Sequence, residues 1–202
     1  MWLLILILII CLAFIYKLYF SKKQLLSACQ LFLQKIADNN EHLFLTTEQM
    51  ICLPSHLRGQ VERLASEIAE KPLTLEEFVS EIPTSRFLLF LHRPTPSSPK
   101  KIIGMLKIYL LNDSPASLER VLSKSTEIKK DNPIYISSVI VDQRYRGKGF
   151  GQKMFGILFE MLKKDALLEV RKNNNLALKL YRQLGFTVIG EDDQTYLLRK
   201  FI

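Results

Sequence analysis

Residues 134–171 constrain the fold more tightly than any other stretch of the chain. "IYISSVIV" (134–141) is rich in β-branched residues, and "QRYRGKGFG" (143–151) places three glycines within five positions. "QKMFGILFEMLKKD" (152–165) is apolar at helical spacing, and "ALLEVR" (166–171) returns to a short apolar strand. Strand, bare turn, helix and strand in that order belong to a mixed α/β sheet.

The flanking segments extend this core. "RFLLFLHR" (86–93) and "KIIGMLKIYLL" (101–111), joined by the turn-rich "PTPSSPK", predict a hairpin. Upstream, "HLFLTT" (42–47) predicts a strand and "SHLRGQVERLASEIAEK" (55–71) a helix opened by Pro54. "TLEEFVSEI" (74–82) predicts a second helix, with Thr74 as N-cap and Glu77 at the capping-box position. Downstream, "LALKLYRQLG" (176–185) predicts a helix, followed by "FTVIGED" and "TYLLRKF" as closing strands. The polar stretch 112–133 is long for a connection and is expected to hold one short helix at 117–123. The whole reads as a mixed central sheet with helices on both faces.

The glycine-rich turn is built for an anion. Amides at the turn and at the first helical residues converge on one point, and the helix dipole adds positive potential there. Glycines 147, 149 and 151 leave the backbone bare, while Arg144, Arg146 and Lys148 supply formal charge. The spacing is neither Walker A nor GxGxxG, so a phosphate ligand of another kind is implied.

Arg146-Gly147-Lys148-Gly149-Phe150-Gly151 resembles the Q/R-x-x-G-x-G/A signature of the GNAT superfamily of N-acetyltransferases. "SSVIVDQRYRGKGFGQKMFGILFEML" is similar to that family's fourth strand, pyrophosphate loop and following helix. "LEVRKNNNLALKLYRQLGF" resembles its fifth strand and next helix, in wording similar to the branch that acetylates N-terminal alanines of ribosomal proteins. The likeness covers residues 134–189; residues 41–133 agree only in the order of elements.

The resemblance implies a GNAT-like sheet and acetyl-CoA as donor. The backbone of Val139 and Val141 would pair with the pantetheine amides, in a splay between two strands. The amides of Arg146, Gly147, Lys148, Gly149, Phe150 and Gly151 would hold the pyrophosphate. Asn174 would contact the cofactor, while its position before a helix also suits an N-cap. An amine must be neutral to attack a thioester, yet a lysine titrates at about 10.4 and a terminal amine at about 7.7–8.0. The resemblance gives the role of base to Glu169, which otherwise reads as a strand carboxylate paired with Arg171 or Arg146. It gives proton donation to the departing thiolate to Tyr181, which otherwise packs on the sheet.

No cysteine is placed to carry an acyl group, so direct attack in a ternary complex is expected. The acceptor is an amine: a protein N-terminus, a lysine or a small molecule. No motif in the acceptor-binding parts matches the family, and Gln143 stands where the family commonly has proline. A non-catalytic CoA-binding or protein-interaction module is the alternative, although such a module has no need of both Glu169 and Tyr181.

The N-terminus adds a second expectation. "MWLLILILIICLAFIYKLYF" carries no charge from Trp2 to Tyr16, and twenty helical residues rise about 30 Å, the thickness of a bilayer's hydrocarbon. Residues 1–21 are therefore expected to form a transmembrane anchor, 22–40 a juxtamembrane helix and 41–202 the acetyltransferase domain. Lys17, Lys22 and Lys23 flank the C-terminal end, which places the domain in the cytoplasm. The 28 basic against 20 acidic residues, a formal charge of +8, suit CoA phosphates and anionic lipid. Nucleic acid is not expected as a partner, since aromatics are not interleaved with the cations. Cys11, Cys29 and Cys52 lack metal-ligand spacing and are expected to be reduced, buried thiols, with no metal site.

Overall fold

The computed structural model describes residues 41–110, except 70, 81–83, 94 and 96, together with 132–202. The expected anchor (1–21), juxtamembrane helix (22–40) and short helix at 117–123 lie outside the described residues. Among the described residues, no helix is long and apolar enough to cross a membrane.

The elements follow the periodicities. They are β1 (His42–Thr46), α1 (Thr47–Ile51), α2 (Ser55–Ala69), α3 (Leu75–Ser80), β2 (Arg86–His92), β3 (Lys101–Leu110) and β4 (Ile134–Val141). Then come α4 (Phe150–Leu162), β5 (Ala166–Arg171), α5 (Asn175–Gln183), β6 (Thr187–Glu191) and β7 (Thr195–Lys200). The capping box of α3 forms as expected: Thr74 N donates to Glu77 Oε2 at 2.8 Å, and Glu77 N to Thr74 Oγ1 at 3.2 Å. A second box ends β1 and opens α1, which sequence reading had missed. There Thr46 N donates to Gln49 Oε1 at 2.9 Å and Gln49 N to Thr46 Oγ1 at 3.3 Å.

The seven strands form one sheet in the order β1-β2-β3-β4-β5-β7-β6. Only β4 and β5 run parallel; the other neighbours are antiparallel. Alternation along the strands sends Leu106, Ile108, Ile134, Ile136, Leu168 and Val170 into a core with Phe155 of α4 and Tyr181 of α5. Phe155 is fully buried and its ring meets those of Phe159, Tyr181 and Phe186, so truncation to alanine would cost about 3–5 kcal/mol. The opposite face carries α3, where Lys107 Nζ donates to Phe78 O at 2.9 Å and lies 4.9 Å from the Phe78 ring. Helices thus cover both faces, as the order of elements predicted.

Cysteine chemistry departs from the sequence reading. Cys52, the half-buried C-cap of α1, is disulfide-bonded rather than a free thiol. A disulfide is decided by the spatial approach of two Cβ atoms, which spacing along the chain does not report.

Candidate active site

The sheet opens at its one parallel junction. β4 and β5 pair only at Ile134–Ala166 and Tyr135–Leu167. Beyond that point β4 stays bonded to β3 as far as Val141, and β5 to β7 as far as Arg171. Each strand is held by its outer neighbour, so their separation leaves a standing gap. Asp142 N donates to Ile103 O of β3 at 2.9 Å. Antiparallel alternation therefore turns the backbone groups of Val139 and Val141 the other way, into the gap. Val141 O accepts a hydrogen bond there from Arg146 Nε at 2.8 Å.

The turn after β4 is uncovered. Gln143–Tyr145 make one 3-10 turn, and Arg146, Gly147, Lys148 and Gly149 are all exposed. Gly147 and Gly149 have φ of 73° and 78°, a left-handed conformation that side chains resist. A Cβ at either would meet nothing within 4 Å, so the space before them is open. The amides of Gly147, Lys148 and Gly149 make no backbone hydrogen bond among the described residues. Those of Phe150 and Gly151 belong to the first turn of α4, whose amides have no helical partner. Gly151 is bare for a different reason: a Cβ there would sit 3.1 Å from Leu180 Cδ2, so this glycine lets α4 approach α5. The Phe150 ring anchors the loop among Phe90, His92 and Tyr145, at centroid distances of 5.8, 6.1 and 5.9 Å.

A buried carboxylate fixes the base of the loop. Asp142 accepts from Arg63 Nη2 of α2 at 2.6 Å, and from Arg144 Nη2 and N at 2.8 and 3.0 Å. The Arg144 guanidinium, joined by Arg63, holds the Asp142 carboxyl well below the usual carboxylate range despite burial. Arg146 Nη2 reaches Glu67 of α2 at 3.5 Å, a second tie between that helix and the loop. Sequence reading missed this clamp, because its halves are 79 residues apart.

Glu169 and Tyr181 lie on opposite faces of the sheet. Leu168 and Val170 enter the core beneath α4 and α5, so Glu169 between them points to the other face and is exposed. There it accepts from Tyr135 Oη at 3.1 Å. Tyr135 in turn stacks on Tyr109 at 5.2 Å. Burial, then the Glu169 charge, pushes the Tyr135 phenol far above its usual range. Tyr181 is buried against Phe155 and Phe186, at 5.8 and 5.7 Å, and burial raises its phenol to about 12.

Asn174 takes the N-cap position of α5, its Oδ1 accepting from Ala177 N at 3.2 Å. Tyr135 and Tyr109 are the further candidates that sequence reading passed over. Alternation in "IYI" could have placed Tyr135 on the face of Glu169, but only sheet order makes them neighbours. Among the described residues, no three His, Cys, Asp or Glu side chains stand together as a metal site.

A sheet split at its parallel pair, with an open glycine turn at the head of the next helix, defines the class. Residues 61–186 match the model of the acetyltransferase (GNAT) family. That is more than half of the chain, and the chain belongs to this family. It is 35% identical over 72 residues to spermine/spermidine N(1)-acetyltransferase of Bacillus subtilis, which covers 33% of this chain and 47% of that protein. It is 36% identical over 56 residues to N-alpha-acetyltransferase RimI of Mycobacterium tuberculosis, covering 27% and 35%. The chain thus spans less than half the length of the curated relatives it matches. Solved structures share the fold. Arabidopsis thaliana NAA60 in complex with a bisubstrate analogue superposes with a TM-score of 0.56 at 17% identity, over 80% of this chain and 99% of that one. The ribosomal-protein-S18-alanine N-acetyltransferase from Escherichia coli gives 0.51 at 15% identity, over 78% and 92%.

Proposed function

We propose that this protein is an N-acetyltransferase that moves the acetyl group of acetyl-CoA onto an amine by direct attack in a ternary complex. The observation that carries the reading is the gap between β4 and β5, ending at a cationic turn with free amides. The residues present fit the donor. The amides of Gly147 to Gly151 suit a pyrophosphate, and the gap-facing groups of Val139 and Val141 suit the pantetheine amides. Bound acetyl-CoA supplies an activated thioester; the remaining chemistry belongs to side chains of this chain.

Glu169 accepts the proton that the ammonium of the acceptor must lose, directly or through one water. The amine nitrogen then bonds to the thioester carbon, the C–S bond breaks with its electron pair on sulfur, and the second N–H proton shed by the acylated nitrogen passes through water to the thiolate, giving amide and CoA thiol. With its phenol at about 12, Tyr181 is protonated at every physiological pH. Full transfer to a thiolate of pKa about 8.5 would cost on the order of 5 kcal/mol, so a strong hydrogen bond to the departing sulfur is its main contribution. Tyr135 holds the Glu169 carboxylate toward the gap. The named relatives act on polyamines and on protein N-termini, and both are amines that the exposed face around Glu169 would admit.

Residues 1–21 tether the enzyme to a membrane in this reading, supported by their length, apolarity and basic flank. The cytoplasmic orientation places the domain where acetyl-CoA is made. Protease protection of the vesicle-embedded chain is the measurement of this topology. For activity, the full chain in detergent is titrated calorimetrically with acetyl-CoA and assayed for thiol release against polyamines, lysine and N-terminal peptides. Binding with amine-dependent thiol release is expected. Binding without release would leave a non-catalytic CoA-binding module.

A further inference from the structure

We propose that Arg146 is a latch across the mouth of the cofactor gap, held by Glu67 of α2, and that acetyl-CoA must release it to bind. The inference rests on the acetyl-CoA reading above. Val141 is the last residue of β4, and its carbonyl faces the gap where the pantetheine arm would pair. That oxygen accepts from Arg146 Nε at 2.8 Å. At the other end of the same guanidinium, Nη2 reaches Glu67 Oε2 at 3.5 Å. One side chain thus spans from the strand that lines the gap to α2, and it holds a carbonyl that the cofactor needs.

The latch is built to open. The Arg146 side chain is 55% exposed, so it turns away without leaving a buried charge behind. Glu67 receives Arg63 Nη1 at 2.7 Å through its other oxygen, Oε1, and keeps that cation when Arg146 departs. The 3.5 Å contact is therefore the releasable half of a carboxylate shared by two arginines. Arg63 stays fixed by Asp142 at 2.6 Å, which leaves Arg146 as the member able to move.

Arg146 immediately precedes Gly147 to Gly151, whose amides suit a diphosphate. A diphosphate carries more charge than one carboxylate and accepts a guanidinium fork through two oxygens, so the exchange of partner runs toward the cofactor. Glu67 is thus a residue that sets cofactor affinity through another side chain, by competing for Arg146. An exposed ion pair changes an equilibrium by up to about fivefold, which bounds the effect.

The test uses the full chain in detergent, made with isotope-labelled arginine. Calorimetry follows acetyl-CoA binding, and nuclear magnetic resonance follows the Arg146 Nε–H. Before acetyl-CoA is added, that proton should exchange slowly with water, and at saturation its resonance should move. Glu67→Gln should tighten acetyl-CoA binding about two- to fivefold, and the gain should shrink at high salt. Removing a negative charge near the loop would raise affinity through space alone, so the same change is also made beside Arg146→Ala. The gain should vanish there. Unchanged or weaker binding by Glu67→Gln overturns the latch. So does a gain that survives Arg146→Ala, or an Nε–H that exchanges rapidly from the start. If the wild type binds no acetyl-CoA, the acetyl-transfer reading falls and the latch with it, whereas binding without these changes removes the latch alone.

Discussion

Asp142→Asn probes the joint between α2 and the cofactor loop. The Asp142 side chain is 2% exposed and receives four hydrogen bonds, at 2.6 Å from Arg63 and at 2.8, 3.0 and 3.1 Å from Arg144. Losing one partner of a buried ion pair costs about 3–5 kcal/mol. The arginines remain 42% and 67% exposed, so water takes up part of that loss, and about 2–3 kcal/mol is expected at neutral pH. In a domain of this size the melting temperature should fall by roughly 5–10 °C, measured by circular dichroism on the full chain. The carboxyl titrates in the folded protein below its unfolded value of about 3.9. Its contribution is therefore complete above that value and is lost as pH falls through the folded one. Wild type and variant should differ throughout the neutral range and converge only in strong acid. The KM for acetyl-CoA should rise as well, because Asp142 caps, and Arg144 lies within, the 3-10 turn that leads into the loop amides. Equal melting temperatures at neutral pH would refute the clamp, and lost stability with unchanged KM would confine Asp142 to folding.

Four further outcomes follow from the site. Gly149→Asp forces a side chain into a backbone with φ of 78° and puts a carboxylate before the loop amides, so calorimetric binding of acetyl-CoA should disappear. Tyr181→Phe should leave binding intact and slow turnover by roughly one to two orders of magnitude, the range of a lost hydrogen bond to developing charge; unchanged turnover would remove Tyr181 from the chemistry. Glu169→Gln should lower kcat by about 10²–10⁴ without altering acetyl-CoA binding. Tyr135→Phe should lower it less, with thiol-release kinetics reporting both.

Much of the fold was legible because its signals are local. The strand over 134–141 and the capping box of Thr74 and Glu77 depend on residues within a turn or strand of one another. The bare loop was legible for the same reason, though its glycines divide the labour. Gly147 and Gly149 serve the turn, while Gly151 serves the contact of two helices that are distant in sequence. Helix α1 was missed because its capping box overlaps the end of a strand.

By itself, the sequence determined the order of elements, the cationic glycine turn and the helix behind it, since backbone preference and apolar period act over a few residues. Tertiary structure alone decided that β4 and β5 part after two paired positions, because that depends on which outer strand holds each of them. It also decided that Tyr135 meets Glu169, that Arg63 meets Asp142 and that Cys52 is bonded. Those contacts arise from sheet order and helix packing, which bring together side chains that no local pattern connects.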